Sequence, residues 1–208
     1  MSFNEIWKAD DERVWNQLFQ KYWAMLRPES IQVEFQLNQL RREDLVDLTP
    51  IEWFNFLHDR YFVWKYTAKN RLATTRANLA TYKTMDQLGE LDVIRKEILQ
   101  SGESDPELAL KTASQIRGLG VAGASGLLSL IYPDRFATVD QFIVKALLEV
   151  PEEASKVESM NSEGLTVADG SVLTEIIVQK ARSMQDTFKS NFWMPRTLEM
   201  ALWAYRGA

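Results

Sequence analysis

Asp140 is the first side chain to examine for chemistry, because of what precedes it. The run Ile116 to Leu147 places Gly118-Leu119-Gly120 between two helical patterns, and then Asp140 at the start of a third. Two glycines permit a tight hairpin that bulkier side chains would obstruct. The amides at the head of the next helix, about Ala122 and Gly123, lack intrahelical acceptors and can meet an anion such as a phosphate. A carboxylate at position 140 can stabilise positive charge that develops in a transition state. The plainer readings are a helix-ending glycine at Gly118 and an N-cap at Asp140. The two roles of Asp140 are compatible, since a capping bond would hold the carboxylate in place.

Lys65, Lys69, Arg76 and Lys83 are the second feature. Residues 60–83 hold 6 basic and no acidic side chains, while residues 1–59 hold 6 basic and 11 acidic. At about 100° per residue the four lie within about 40° of one another on a single helix. They read either as a phosphate-tracking stripe or as a solvated edge with snorkelling stems. Tyr61, Trp64 and Tyr66 lie beside them, and one could stack on a base. His58-Asp59, Asp10-Asp11-Glu12 and Glu43-Asp44 read as surface or capping groups. Trp193 and Trp203 read as core rather than as stacking platforms.

Composition removes several function classes. The chain has no cysteine and one histidine, His58, so thiolate metal sites, disulfides, thiol catalysis and His-rich metal sites are excluded. No protein-bound metal is expected. The net charge of −5 argues against a broad electrostatic grip on nucleic acid and favours a local contact patch. No apolar run is long enough for a bilayer, and the polar opening carries no secretory pattern, so a soluble cytoplasmic protein without a membrane partner is expected.

The elements that would hold these groups are almost all helical. Hydrophobic residues make up 46% of the 208, enough for a packed core in one helical domain spanning 1–208. Trp15, Leu18, Phe19, Tyr22 and Leu26 recur at helical spacing, and Arg27-Pro28 ends that helix. Residues 31–37 alternate and fit a strand as well as a helix. Thr49-Pro50-Ile51-Glu52 reads as an N-cap with proline at the first helical position. That helix either runs past His58 or breaks near Asp59. One amphipathic helix is expected over 61–83, with Tyr61, Trp64, Ala68, Leu72, Thr75, Leu79 and Tyr82 as its buried seam. A helix near 86–100 follows, and Asp105-Pro106-Glu107 caps the next. Small residues Gly123 to Gly126 would admit another helix or a backbone at close range. Residues 151–171 are acidic and turn-rich, and read as a mobile insertion or long connection. Helices at about 172–187 and 195–206 close the chain.

The segment 116–147 resembles the helix-hairpin-helix DNA glycosylase superfamily, the endonuclease III and MutY-like enzymes. The residues carrying the likeness are Gly118-Leu119-Gly120, Ala124, Pro133, Phe136 and Val139-Asp140. It is also similar to an uncharacterised bacterial branch with Pro-Asp-Arg-Phe and Thr-Val-Asp-Gln patterns. The likeness is strong over about 35 residues and loose over the rest. It implies an all-α, two-lobed bundle with its motif at 106–149 and a DNA partner. Backbone at Gly118, Leu119, Gly120, Ala122 and Gly123 would contact phosphate, and Asp140 would face the sugar. Family hairpins also hold a monovalent cation on backbone carbonyls. No other cofactor is implied. The lysine of the lyase members falls on Ala122, so lyase chemistry by that route is not expected. A monofunctional glycosylase hydrolysing an N-glycosidic bond is one expectation. The alternative is a non-catalytic module of the same fold that binds a protein or nucleic-acid partner.

Overall fold

The computed structural model describes residues 1–205, and all regular structure among them is helical. Ser2 and Glu5 form a capping box that starts α1 (Phe3–Trp7). Asp11 caps α2 (Glu12–Met25), and Arg27-Pro28 begins α3 (Pro28–Asn38) with proline at its first position. The alternating stretch 31–37 is thus helix. Its outward face carries Ile31 (42% exposed) and Phe35 (56%), whereas Glu34 is buried. A short α4 (Glu43–Val46) precedes α5 (Pro50–Phe56), where Thr49 and Glu52 form the expected cap.

The chain does not break at Asp59. A π-helical turn, Leu57–Tyr61, carries α5 directly into α6 (Phe62–Lys65). The break falls later, at 66–68, before α7 (Lys69–Thr84). The single helix expected over 61–83 is therefore two helices. Tyr66 turns extended, with φ −117° and ψ 92°, and its buried ring packs across that of Phe62.

Next come α8 (Leu88–Ser101) and α9 (Pro106–Ala113), the latter capped by Asp105. The hairpin leads into α10 (Val121–Ile131), and an irregular stretch leads to α11 (Gln141–Leu147). Residues 151–171 do not form a loop. They supply α12 (Pro151–Val157), a turn, and the Thr166–Asp169 capping box of α13 (Val167–Phe188). Val150 and Val157 are fully buried, so the acidic residues form the outer side of a packed element. The last helix is α14 (Pro195–Tyr205), which lies along α2. Position 206, its expected end, lies outside the described residues.

Most buried apolar side chains join one cluster running from Phe3 to Leu202. Trp15, Trp53 and Trp193 sit at its most enclosed points. No described helix is long and apolar enough to cross a membrane.

Candidate active site

Asp140 is the N-cap of α11, and its Oδ1 accepts from the Phe142 amide at 2.9 Å. It is not sealed by that bond. It lines a cavity of about 210 Å³ between the start of α11 and the end of α14. Phe142, Ile143, Leu202, Trp203 and Tyr205 form most of the apolar wall, and Glu149 and Glu199 are the other acids in the lining. Trp203, expected as core, packs on Tyr22 beside a buried cluster and also forms part of the cavity wall.

The backbone leading to Asp140 is clamped by α10. The Ser125 hydroxyl accepts from the Val139 amide at 3.0 Å and lies 3.4 Å from the Val139 carbonyl. Ser129 reaches Thr138 at 3.4 Å. The small residues of 123–126 thus admit a backbone, one of the two approaches their size allows. They also admit side chains. A Cβ at Gly126 would sit 2.9 Å from the Tyr61 hydroxyl and 3.3 Å from Lys65 Nζ. Tyr61, fully buried, donates to the Gly123 carbonyl.

That geometry changes the role of Lys65. Instead of joining a surface stripe, it passes over Gly126 toward the interior and makes no ion pair among the described residues. Burial pushes its pKa below 10.5, and the Asp140 charge opposes the shift, followed by Glu199. Lys65 therefore feels the charge of Asp140, while Lys145 is the cation that lines the cavity. The helix break at 66–68 explains this, since it uncouples Lys65 from the register of α7.

The rest of the stripe also divides. Arg76 Nε donates to the His58 carbonyl at 2.9 Å, and its Nη2 is 3.6 Å from Asp59. Lys83 Nζ lies 4.0 Å from the centre of the Phe54 ring. These two brace α7 against α5 and the π-helical turn. Lys69 is exposed in the first turn of α7. Arg71, overlooked in the sequence pattern, stacks over Tyr66 at 5.5 Å. His58 itself pairs with Asp59 at 2.6 Å and stacks on Phe54.

The hairpin turns at Gly118, whose φ of +95° suits glycine. A Cβ there would lie 2.8 Å from the Thr75 carbonyl, so the turn docks on α7. Leu119 is buried and can offer only backbone to a ligand, while Gly120 is exposed with open space around it. Gly120 is the N-cap of α10, and no side chain caps it. Ala122 is half-buried and Gly123 buried. One hairpin carbonyl, that of Gly118, lies 3.5 Å from the Tyr66 hydroxyl, so a cation there would compete with Tyr66. The first turn of α7 likewise has no cap and no acid. Tyr66 links the two helix starts, with its ring under Arg71 and its hydroxyl at Gly118.

One assembly went unnoticed in the sequence: Arg196 lies between Glu34 and Glu199, bonded to both, and all three are buried. Glu34 also accepts from Asn38 at 3.1 Å and from the Trp64 indole. The guanidinium lies 5.2 Å from the Trp64 ring centre. Burial pushes Glu199 above the usual carboxylate range, with Arg196 opposing, whereas Arg196 is held firmly charged by its two acids. The available signal was an acid and a base three apart inside the apolar pattern of the last helix. No cluster of three metal-ligating side chains occurs among the described residues. Comparisons with protein families, with curated proteins and with solved structures give no match, so any functional reading rests on this geometry.

Proposed function

We propose that this chain is a DNA-binding helix-hairpin-helix protein with a glycosylase-like, two-lobed arrangement, in which Asp140 promotes hydrolysis of an N-glycosidic bond. The observation that carries the reading is the opening of Asp140 into a cavity of about 210 Å³, room for one planar base without its sugar. A carboxylate fixed by its own helix amide is preorganised to favour an oxocarbenium-like sugar over the neutral ground state. The uncapped head of α10 would take a backbone phosphate, with Lys69 and Arg71 as neighbouring positive charge. The acidic surface elsewhere limits binding to this patch.

The test uses duplexes carrying an abasic site or a cationic azasugar in place of one nucleotide. The wild type should bind both, with affinity falling steeply in salt. Lys69→Glu with Arg71→Glu should flatten the dependence of log K on log salt by roughly two. Arg76→Glu should leave that slope unchanged, because Arg76 is committed to His58 and Asp59. Asp140→Asn should keep abasic-site binding, lose preference for the azasugar and abolish base release. No affinity in low salt would end the nucleic-acid reading.

A second reading, a non-catalytic module with a protein partner, has one observation in its favour. Ile31 and Phe35 stand exposed one turn apart on α3. Binding to abasic DNA without release of any base by the wild type would select it.

A further inference from the structure

We propose that Glu199 is a second catalytic residue of the Asp140 cavity, the acid that protonates the departing base. This rests on the glycosidic reading above and adds the leaving-group half of the reaction. Glu34 and Glu199 share one guanidinium, but on unequal terms. Glu34 accepts from Arg196, Asn38 and Trp64, which occupy both of its oxygens. Glu199 accepts only from Arg196, through Oε2, and Oε1 has no hydrogen-bond partner among the described residues. Of the two, only Glu199 lines the cavity.

Charge balance points the same way. Three acids, the buried Glu34 and Glu199 and the half-buried Asp140, stand against the buried Arg196 and the half-buried Lys65. One proton on an acid neutralises the set, and of the two acids on Arg196, Glu199 has the fewer donors to stabilise an anion. The groups facing Glu199 are Arg196 on its own helix, Glu34 on α3, Lys65 on α6, Tyr22 on α2 and Tyr61 on the π-helical turn. Asp140, Lys145 and Glu149 face it across the cavity. Asp140, held by the Phe142 amide, lines the same cavity. In the proposed step Glu199 carries the proton and Asp140 the negative charge, the arrangement that acid-assisted bond cleavage needs.

The step balances as follows. The C1′–N bond breaks, its electron pair stays on the base nitrogen, and that nitrogen takes the proton of Glu199. Asp140 stabilises the cationic sugar carbon. Water adds to C1′ and gives its proton to Asp140, from which it returns through solvent to Glu199. The net change is one water consumed, with a free base and a sugar hydroxyl produced.

The variant Glu199→Gln keeps an oxygen for Arg196 but has no acidic proton. Infrared difference spectra of wild type minus E199Q at neutral pH should show the carbonyl band of a protonated carboxyl. Rates are then read on duplexes carrying uracil, hypoxanthine or 8-oxoguanine, which leave as neutral bases only after protonation, and on N7-methylguanine, which is already cationic. E199Q should lose roughly 100- to 10,000-fold on the neutral group and stay within about threefold on N7-methylguanine, since general acid catalysis is needed only by the former. The wild-type rate on the neutral group should fall at alkaline pH, and E199Q should lack that limb. Absence of the infrared band, or equal losses on both groups, overturns the proposal while leaving Asp140 chemistry intact. A band without release of any base by the wild type sinks the glycosidic reading and this step together.

Discussion

Asp140 and Lys65 show how differently two polar side chains can be read from a linear pattern. Asp140 behaves as its neighbours announced: a carboxylate before an apolar helix start caps that helix. Lys65 does the opposite of what its spacing suggested, because the backbone departs from helix immediately after it. A half-buried ammonium with no ion pair among the described residues weakens the folded state, so Lys65→Met should match or exceed the wild type in urea denaturation at pH 7. The sign of its pH dependence is fixed by the lowered pKa. The folded state binds this proton less tightly than the unfolded chain, so the wild type gains on K65M as pH rises toward 10.5. A wild type that gains nothing on K65M across that range would show Lys65 to be solvated. At the hairpin, Gly118→Ala should cost about 2 kcal/mol or more, combining a left-handed φ with contact against the Thr75 carbonyl. Gly120→Asp should instead add a few tenths of a kcal/mol by capping α10. The same carboxylate would occupy the anion position, so DNA affinity should fall in a more stable protein. Unchanged affinity would separate the hairpin from phosphate binding.

Among the elements, α10 organises the rest. Its glycines and serines let the backbone of 138–139, Tyr61 and Lys65 all approach one helix. Ser125→Ala should cost about 1–3 kcal/mol, since it leaves the buried Val139 amide without an acceptor. It should also loosen Asp140, seen as reduced preference for azasugar over abasic duplex. A stability loss without that change would make Ser125 a purely structural clasp. The π-helical turn at Leu57–Tyr61 has a comparable role. It carries α5 on without a break, so that Tyr61, Trp64 and Lys65 arrive beside α10 and the Glu34–Arg196 group. Caps at Thr49, Asp105 and Asp140 were legible from residue type, because capping is a local interaction, whereas those at Ser2 and Thr166 were not singled out. The break at 66–68 was not, since Tyr66-Thr67-Ala68 contains neither glycine nor proline. It forms because the extended turn at Tyr66 lets its ring sit between Phe62 and Arg71 with its hydroxyl at Gly118.

Across the whole molecule, Glu34, Arg196 and Glu199 tie the third helix to the last through a buried charge group. Arg196→Met should destabilise by about 3–5 kcal/mol, because the Glu34 carboxylate and the Glu199 carboxyl, both buried, lose their shared cation. The loss should grow as pH rises above the carboxylate range, since the folded state would then hold those protons more tightly than the unfolded chain. A small, pH-independent loss in urea denaturation would mean that the two acids reach solvent. Helical class, the helix starts at Pro50, Pro106, Gln141 and Pro195, the hairpin glycines and the capping place of Asp140 follow from composition and short-range pattern, because they depend on residues within one or two turns. The cavity, the inward course of Lys65 and the pairing of Arg196 with Glu34 across 162 positions do not. They arise where helices distant in sequence meet, and no local preference records which side chains will share that space.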